Sequence, residues 1–413
     1  MRITASQFFR SALISLACAW VAWLVVGDKI VVKLSGVLGP SLANLTNGKV
    51  ASPEAFIRGR IQEALWLMTA GIVLTGLIAG VDFLGRRSER YLRARGIWLG
   101  LTIFTGLNLG VLAAQRTVLF WMPFYAGFGV DTYAQFQIKT RLLSEVGDIR
   151  QVILVGGSIV QSNLDEKRIN IELTNKIWST ELSQSGICGL DLRFIVDEIK
   201  NVRAFCAVTY VSSPFFASLP NGQAATRFVT FEEVPDLLRN AGWKSFPEGA
   251  LRSGLIGRVL PLFHHNASFS QRILGDDIKG LAQGRFDKSL EKDLDFQTRR
   301  RVNSLRVTDE TEAQRRGFEQ AMEKLADRCE HVVIIEGTPY PLMDELRPEF
   351  RTKMFRDLAE LQKRRPNIIL VSQDEIMAVK PTDFMDLIHF NEDAQARFSA
   401  LFSKWLNERL LKQ

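Results

Sequence analysis

The stretch Gln151-Val152-Ile153-Leu154-Val155-Gly156-Gly157-Ser158 decides how the rest of the chain reads. Four consecutive apolar residues, three of them β-branched, make a run of strand length with no polar alternation, as expected for a strand covered on both faces. Two glycines and a serine then close it in a turn. Further runs of this kind stand at 204–211, 332–335 and 368–371. Amphipathic helical patterns precede them at 190–201, 310–328 and 350–365, and a last one covers 392–411, with Asn391 placed as its N-cap and Glu392 and Asp393 complementing its dipole. Strands alternating with helices predict an α/β domain of three α/β/α layers on a parallel sheet, spanning 131–413. Between the second and third runs lies an insertion, 214–308, with a capping-box pair at Thr230 and Glu233 and no internal repeat. A connection of that length points to a lid, a binding loop or a docking subdomain.

The domain occupies only the later two thirds of 413 residues, and charge is divided unevenly between it and what comes before. Residues 1–130 hold 13 Lys and Arg against 5 Asp and Glu, whereas 131–413 hold 39 against 40. The excess that produces the net +7 therefore lies entirely in the first third. The α/β domain is electrically neutral and has no basic stripe, which argues against nucleic acid as a partner. At 46% hydrophobic and 23% charged residues, the chain is neither disordered nor a disulfide-stapled miniprotein. Of the cysteines outside the apolar runs, Cys206 falls in an expected core strand, and no bridge with Cys188 or Cys329 is predicted.

The basic third also carries three apolar runs, about 8–27, 64–82 and 96–115. Crossing hydrocarbon takes about 20 helical residues, and soluble core helices rarely stay uncharged that long, so three transmembrane helices are expected. The first run could instead be a signal peptide, but no A-x-A-like site follows Gly27, and Cys18 lies in mid-run, where lipid attachment is excluded. Arg86, Arg87, Arg90, Arg93 and Arg95 crowd the connection between the second and third runs, and Arg2 and Arg10 precede the first. By the positive-inside rule both segments are cytoplasmic, the loop 28–63 is external, and residues 116–413 lie outside the cytoplasm of a bacterial plasma membrane. The uncharged, aromatic-rich segment 117–130 reads as an interfacial belt, or as a docking surface for another membrane protein.

In open α/β sheets ligands gather at the carboxyl ends of strands. Ser158 closes the first strand there, and Asp386-Leu387-Ile388-His389 stands just before the last helix. A carboxylate three residues before an imidazole can accept from Nδ1 and leave Nε2 facing a nucleophile. Neither feature is specific alone. Together they place a serine, a histidine and an aspartate at one sheet edge. The other histidines, His264, His265 and His331, carry no such partner in sequence.

These two blocks resemble the SGNH, or GDSL-like, hydrolase superfamily over roughly residues 150–413. Gly156-Gly157-Ser158 is similar to the family's first block, and Asp386 to His389 to its last. The resemblance implies Ser158 as nucleophile, His389 as base and Asp386 as the residue orienting it. It further implies an oxyanion hole formed by the N–H groups of Ser158 and Gly186. The family's asparagine donor is missing, because Val211-Ser212-Ser213-Pro214 occupies its place, leaving Ser212 or Ser213 as substitute. Ser-Pro followed by aromatics is similar to the membrane-anchored branch that acylates cell-envelope polymers, which includes the D-alanyl transfer and alginate O-acetylation proteins. The implied activity is O-acyl transfer, with acetyl favoured, onto an extracytoplasmic glycan, with the acyl group supplied by a membrane-embedded acyltransferase partner. A membrane-tethered glycan or lipid esterase, and a non-catalytic assembly or glycan-binding protein, remain the alternatives. No cofactor or metal is implied by the residue patterns.

Overall fold

The structure, a computed structural model, describes residues 5–46, 52–85, 150–173, 177–184, 189–199, 204–213, 294–302 and 309–411, with isolated positions between them. The chain divides into two compact units, one containing the helices before residue 131 and the other containing the sheet.

The first unit is built on α1 (Ala5–Thr46) and α2 (Pro53–Gly85). These pack as an antiparallel pair around Trp23, Val31 and Leu65, flanked by Ala19, Trp20 and Ile61. The Trp20 indole donates to Thr69 Oγ1 at 3.1 Å and meets Trp66 edge-on. The segment 28–63, expected to connect the first two apolar runs, is mostly helical: both helices run through it and only 47–52 separates them. An Arg58–Asp28 ion pair of 2.6 Å joins them, and Val31, Phe56 and Ile57 are buried, so the residues past the apolar run still have a helix face to cover. Within α1, Leu13–Gly36 has a mean hydropathy of 1.7 and, among the described residues, is the one segment long and apolar enough to cross a bilayer. Three transmembrane helices are not shown. The second run is helical within α2, and the third, like the aromatic segment 117–130, lies outside the described residues apart from isolated positions such as Phe104 and Asn108.

The second unit is a five-stranded, all-parallel sheet. Its strands are β1 (Arg150–Leu154), β2 (Ile177–Glu181), β3 (Ala204–Ser212), β4 (Cys329–Gly337) and β5 (Ile368–Ser372), in the order β2-β1-β3-β4-β5. Side-chain alternation splits the core into two layers. Ile153, Val155, Ala207, Val211, Val332 and Ile334 face α5 (Gly189–Glu198), α7 (Asp309–Ala326) and α9 (Pro348–Arg364). Val152, Leu154, Val208, Tyr210, Val333 and Ile335 face α3 (Ser158–Asn163), α4 (Glu166–Glu172) and α11 (Glu392–Leu406). Among the described residues three further α-helices belong to the unit: α6 (Leu294–Val302), α8 (Pro341–Leu346) and α10 (Gln373–Ile376). The three-layer α/β architecture with a parallel sheet is thus as expected. What the sequence did not announce is β2, an edge strand reading Ile-Trp-Ser-Thr-Glu, too short and too polar to stand out. Cys206 and Cys329 are buried free thiols, both with pKa pushed up by burial. Of the insertion 214–308, α6 is described and Leu255 packs on the core, while Thr230 and Glu233 lie outside the described residues.

Helices α5 and α7 approach through glycines. A Cβ on Gly317 would stand 2.5 Å from Leu190 Cα, and one on Gly189 would stand 2.3 Å from the Gln314 carbonyl oxygen. Overpacking costs about 1–3 kcal/mol and outweighs the ~1 kcal/mol that alanine gains over glycine in a helix. Gly317→Ala is therefore expected to lower the melting temperature of the full chain by about 2–4 °C per kcal/mol lost, read by tryptophan fluorescence in detergent. An unchanged melting temperature would show that the two helices do not pack this closely.

Candidate active site

The strand order reverses between β1 and β3, and in doubly wound sheets of order 2-1-3-4-5 that reversal opens a crevice at the strands' carboxyl ends. Ser158 sits there. Sheet-like hydrogen bonds continue past the end of β1 on both sides: Val155 N–H donates to the Val208 carbonyl, Leu182 N–H to that of Leu154 and Gln184 N–H to that of Gly156. The turn is thereby pinned before α3 begins. Its glycines are there for space rather than for unusual torsion, since Gly157 has φ −91° and ψ −164°. A Cβ on Gly156 would meet Val160 Cγ2 at 2.3 Å, and one on Gly157 would meet the Ile187 carbonyl oxygen at 3.0 Å.

The opposite wall is the loop 384–390. An antiparallel bridge between Phe384 and Phe390 and a bond from Met385 N–H to the His389 carbonyl close it into a tight turn. Tyr340 N–H, after β4, donates to the Leu387 carbonyl at 2.8 Å. Asn391 then caps α11, its side chain accepting from Ala394 N–H as expected. Within the turn Asp386 Oδ1 accepts from the N–H groups of Ile388 and His389, both at 2.9 Å. Asp386 Oδ2 lies 2.7 Å from His389 Nδ1, and His389 Nε2 lies 2.9 Å from Ser158 Oγ. The three side chains predicted to meet are thus in one hydrogen-bonded chain. With His389 17% and Asp386 30% exposed, the chain is open to a substrate yet largely sheltered from solvent. Burial alone would raise the Asp386 pKa, but the imidazole and the two N–H donors outweigh it and hold the carboxyl below its ordinary value.

The remaining predicted residues fare differently. Gly186 lies outside the described residues. Ser213 Oγ donates to Asp344 Oδ1 at 3.3 Å, which commits that hydroxyl to a carboxylate. Ser212 Oγ is buried and has no hydrogen-bond partner among the described residues. From the Leu154–Val208 pair, Ser158 and Ser212 stand equally far along neighbouring chain segments, so Ser212 ends at the same edge as the nucleophile. Beyond Ser213, Arg351 grips the buried Glu336 through two bonds of 3.0 and 3.3 Å and reaches Asp344 at 3.2 Å. Burial pushes both carboxyl pKa values up, with Arg351 opposing.

Asn163, absent from the sequence-based set, is 1% exposed and bonds to the histidine loop on either side of His389. Nothing in the mostly polar helix sequence Ser-Ile-Val-Gln-Ser-Asn singles it out. Among the described residues no group of three or more His, Cys, Asp and Glu side chains is placed to hold a metal ion. No protein-family model matches this chain, and no curated protein matches its sequence.

Because the folded pKa of Asp386 lies below the ordinary aspartate value of 3.8, its stabilisation is fully present above that value and is lost as pH falls through the lower, folded one. Asp386→Asn is expected to lower the melting temperature at pH 7, with the gap to the parent narrowing below pH 3.8. A gap independent of pH would show that the carboxylate is not held in its charged form by the loop.

Proposed function

We propose that the chain is a membrane-anchored, serine-dependent O-acyltransferase that modifies a glycan outside the cytoplasm. One observation carries the reading: a serine hydroxyl, an imidazole and a carboxylate hydrogen-bonded in sequence at the carboxyl edge of a parallel sheet. His389 Nε2 takes the Ser158 proton as Oγ attacks an acyl carbonyl, and Asp386 holds the ring and stabilises the imidazolium. The tetrahedral oxyanion collapses to an acyl-enzyme as the leaving group departs with the proton from His389. A sugar hydroxyl, deprotonated by the same histidine, then attacks the ester, takes the acyl group and regenerates Ser158. The Ser158 N–H and Gly186 N–H hold the oxyanion. Of the two serines in the asparagine's place, Ser212, whose hydroxyl has no partner among the described residues, is the better third donor. The likeness of the two sequence blocks to SGNH enzymes of the envelope-acylating branch supports the same chemistry.

Transfer rather than hydrolysis is favoured by the membrane portion. Leu24, Val25 and Trp66 are 78%, 74% and 66% exposed on the paired helices, a surface that lipid covers at no cost and water does not. Three spanning helices, the arginine-rich connection inside and residues 116–413 outside complete the topology. Activated acyl donors are made in the cytoplasm, so an outer enzyme needs a membrane-embedded acyltransferase to pass the group across.

Two measurements test this. The full chain in detergent, given an activated acetyl ester with and without oligosaccharide, is expected to move acetyl to sugar faster than to water, and Ser158→Ala to reduce both reactions by on the order of 10³-fold or more. Hydrolysis that always exceeds transfer would make it an esterase, and unimpaired function in Ser158→Ala would remove Ser158 as the nucleophile. For topology, alkaline phosphatase fused after Gln413 is expected to be active and fused after Arg90 inactive. The reverse pattern would place the α/β domain in the cytoplasm and end the envelope reading.

A further inference from the structure

Ser158 and His389 lie 231 residues apart in sequence, and the hydrogen bond between them is too weak to hold two loops in register by itself. Asp386 fixes the tilt and tautomer of the imidazole within its own loop, and among the described residues it makes no hydrogen bond to α3 that would place that loop against the serine. What does so is a second side chain on the serine's own helix. Asn163 Oδ1 accepts from Phe390 N–H at 2.9 Å, and Asn163 Nδ2 faces the Ile388 carbonyl oxygen at 3.4 Å. One amide therefore grips the backbone on both sides of His389.

The grip is rigid for three reasons. Ser158 and Asn163 are the first and last residues of one six-residue helix, so the distance from nucleophile to clamp is set by helix geometry. That helix's far end is stitched to α11, with Gln395 Nε2 donating to the Gln161 and Leu164 carbonyls and Asp165 N–H donating to Ser399 Oγ at 2.7 Å. Behind the clamp, the buried Tyr210 hydroxyl donates to Gln373, and its ring meets Phe390 edge-on at 6.3 Å.

We infer that Asn163 is the positioning residue of the site, setting the His389 loop at hydrogen-bonding distance from Ser158. The inference rests on the catalytic reading above for its effect on rate, though the positioning itself does not. A misplacement of about 1 Å can cost about 10²-fold in rate, whereas a residue that never touches substrate leaves ground-state binding unchanged.

The test uses the full chain in detergent and Asn163→Leu, similar in volume and without hydrogen bonds. Asn163→Ser serves where the first does not fold. Three quantities are read on folded protein: turnover of p-nitrophenyl acetate, covalent labelling of Ser158 by a fluorophosphonate, and the nitrogen resonance of His389 Nε2, whose position depends on the bond accepted from Ser158 Oγ. The expected result is a fall in kcat and labelling rate of about 10²-fold, KM within about twofold of the parent, and a shift of the Nε2 resonance. A folded variant that labels, turns over and resonates like the parent overturns the inference. Should the parent itself show neither turnover nor labelling, the catalytic reading fails. The resonance then decides the positioning alone: its shift on substitution supports the clamp, and an unchanged position refutes it.

Discussion

His389 Nε2 and Ser158 Oγ meet at 2.9 Å only because two distant segments are held against the same edge of one sheet. The parallel arrangement is what makes this possible. In a parallel sheet every strand points the same way, so the turn after β1, the end of β3, the segment after β4 and the loop before α11 all open at one edge. The pairings of β1 with both β2 and β3 fix where the Gly156-Gly157 turn lies, and the turn fixes the serine. The aromatic packing of Phe384, Phe390, Phe398 and Tyr210 beneath the histidine loop supplies the floor on which it rests.

The same edge concentrates buried polar groups that must be satisfied where the ladder ends. Next to the site, Glu336, Arg351, Asp344 and Ser213 form a connected network, and Tyr210, Gln373 and Thr338 form another. An ion pair as buried as Glu336 with Arg351 contributes more to defining one arrangement than to net stability, because desolvation offsets most of its attraction. Such networks hold rim residues in fixed positions, which a site built on four different chain segments requires. At the same edge the buried Ser212 hydroxyl and Gln373 Nε2 have no hydrogen-bond partner among the described residues.

The paired helices of the first unit follow a different rule. Their contact is narrow, a seam of tryptophans and small aliphatic residues, and much of their remaining surface is apolar and exposed. In water that surface would be unfavourable. In hydrocarbon it is unremarkable, and the helical continuation through 28–63, pinned by Arg58 and Asp28, extends the pair past the length of about 20 residues that a bilayer demands.

Much of the domain was legible in the linear chain because burial on both faces leaves an unbroken apolar run, and an amphipathic helix leaves a periodic one. The strands at 152–155, 204–211, 332–335 and 368–371 and the helix capped by Asn391 announced themselves in this way. The serine, histidine and aspartate were legible too, since a turn after a strand and an Asp-x-x-His turn are local patterns. Strand β2 was not, because an edge strand has less to bury and so keeps polar residues. Neither was the helical course of 28–63, where charges suggested a loop and only the partner helix gives the apolar positions something to cover. Asn163, and the division between a committed Ser213 and an unspent Ser212, belong to the tertiary structure alone, because a hydrogen bond between residues more than a hundred positions apart leaves no periodicity in a sequence.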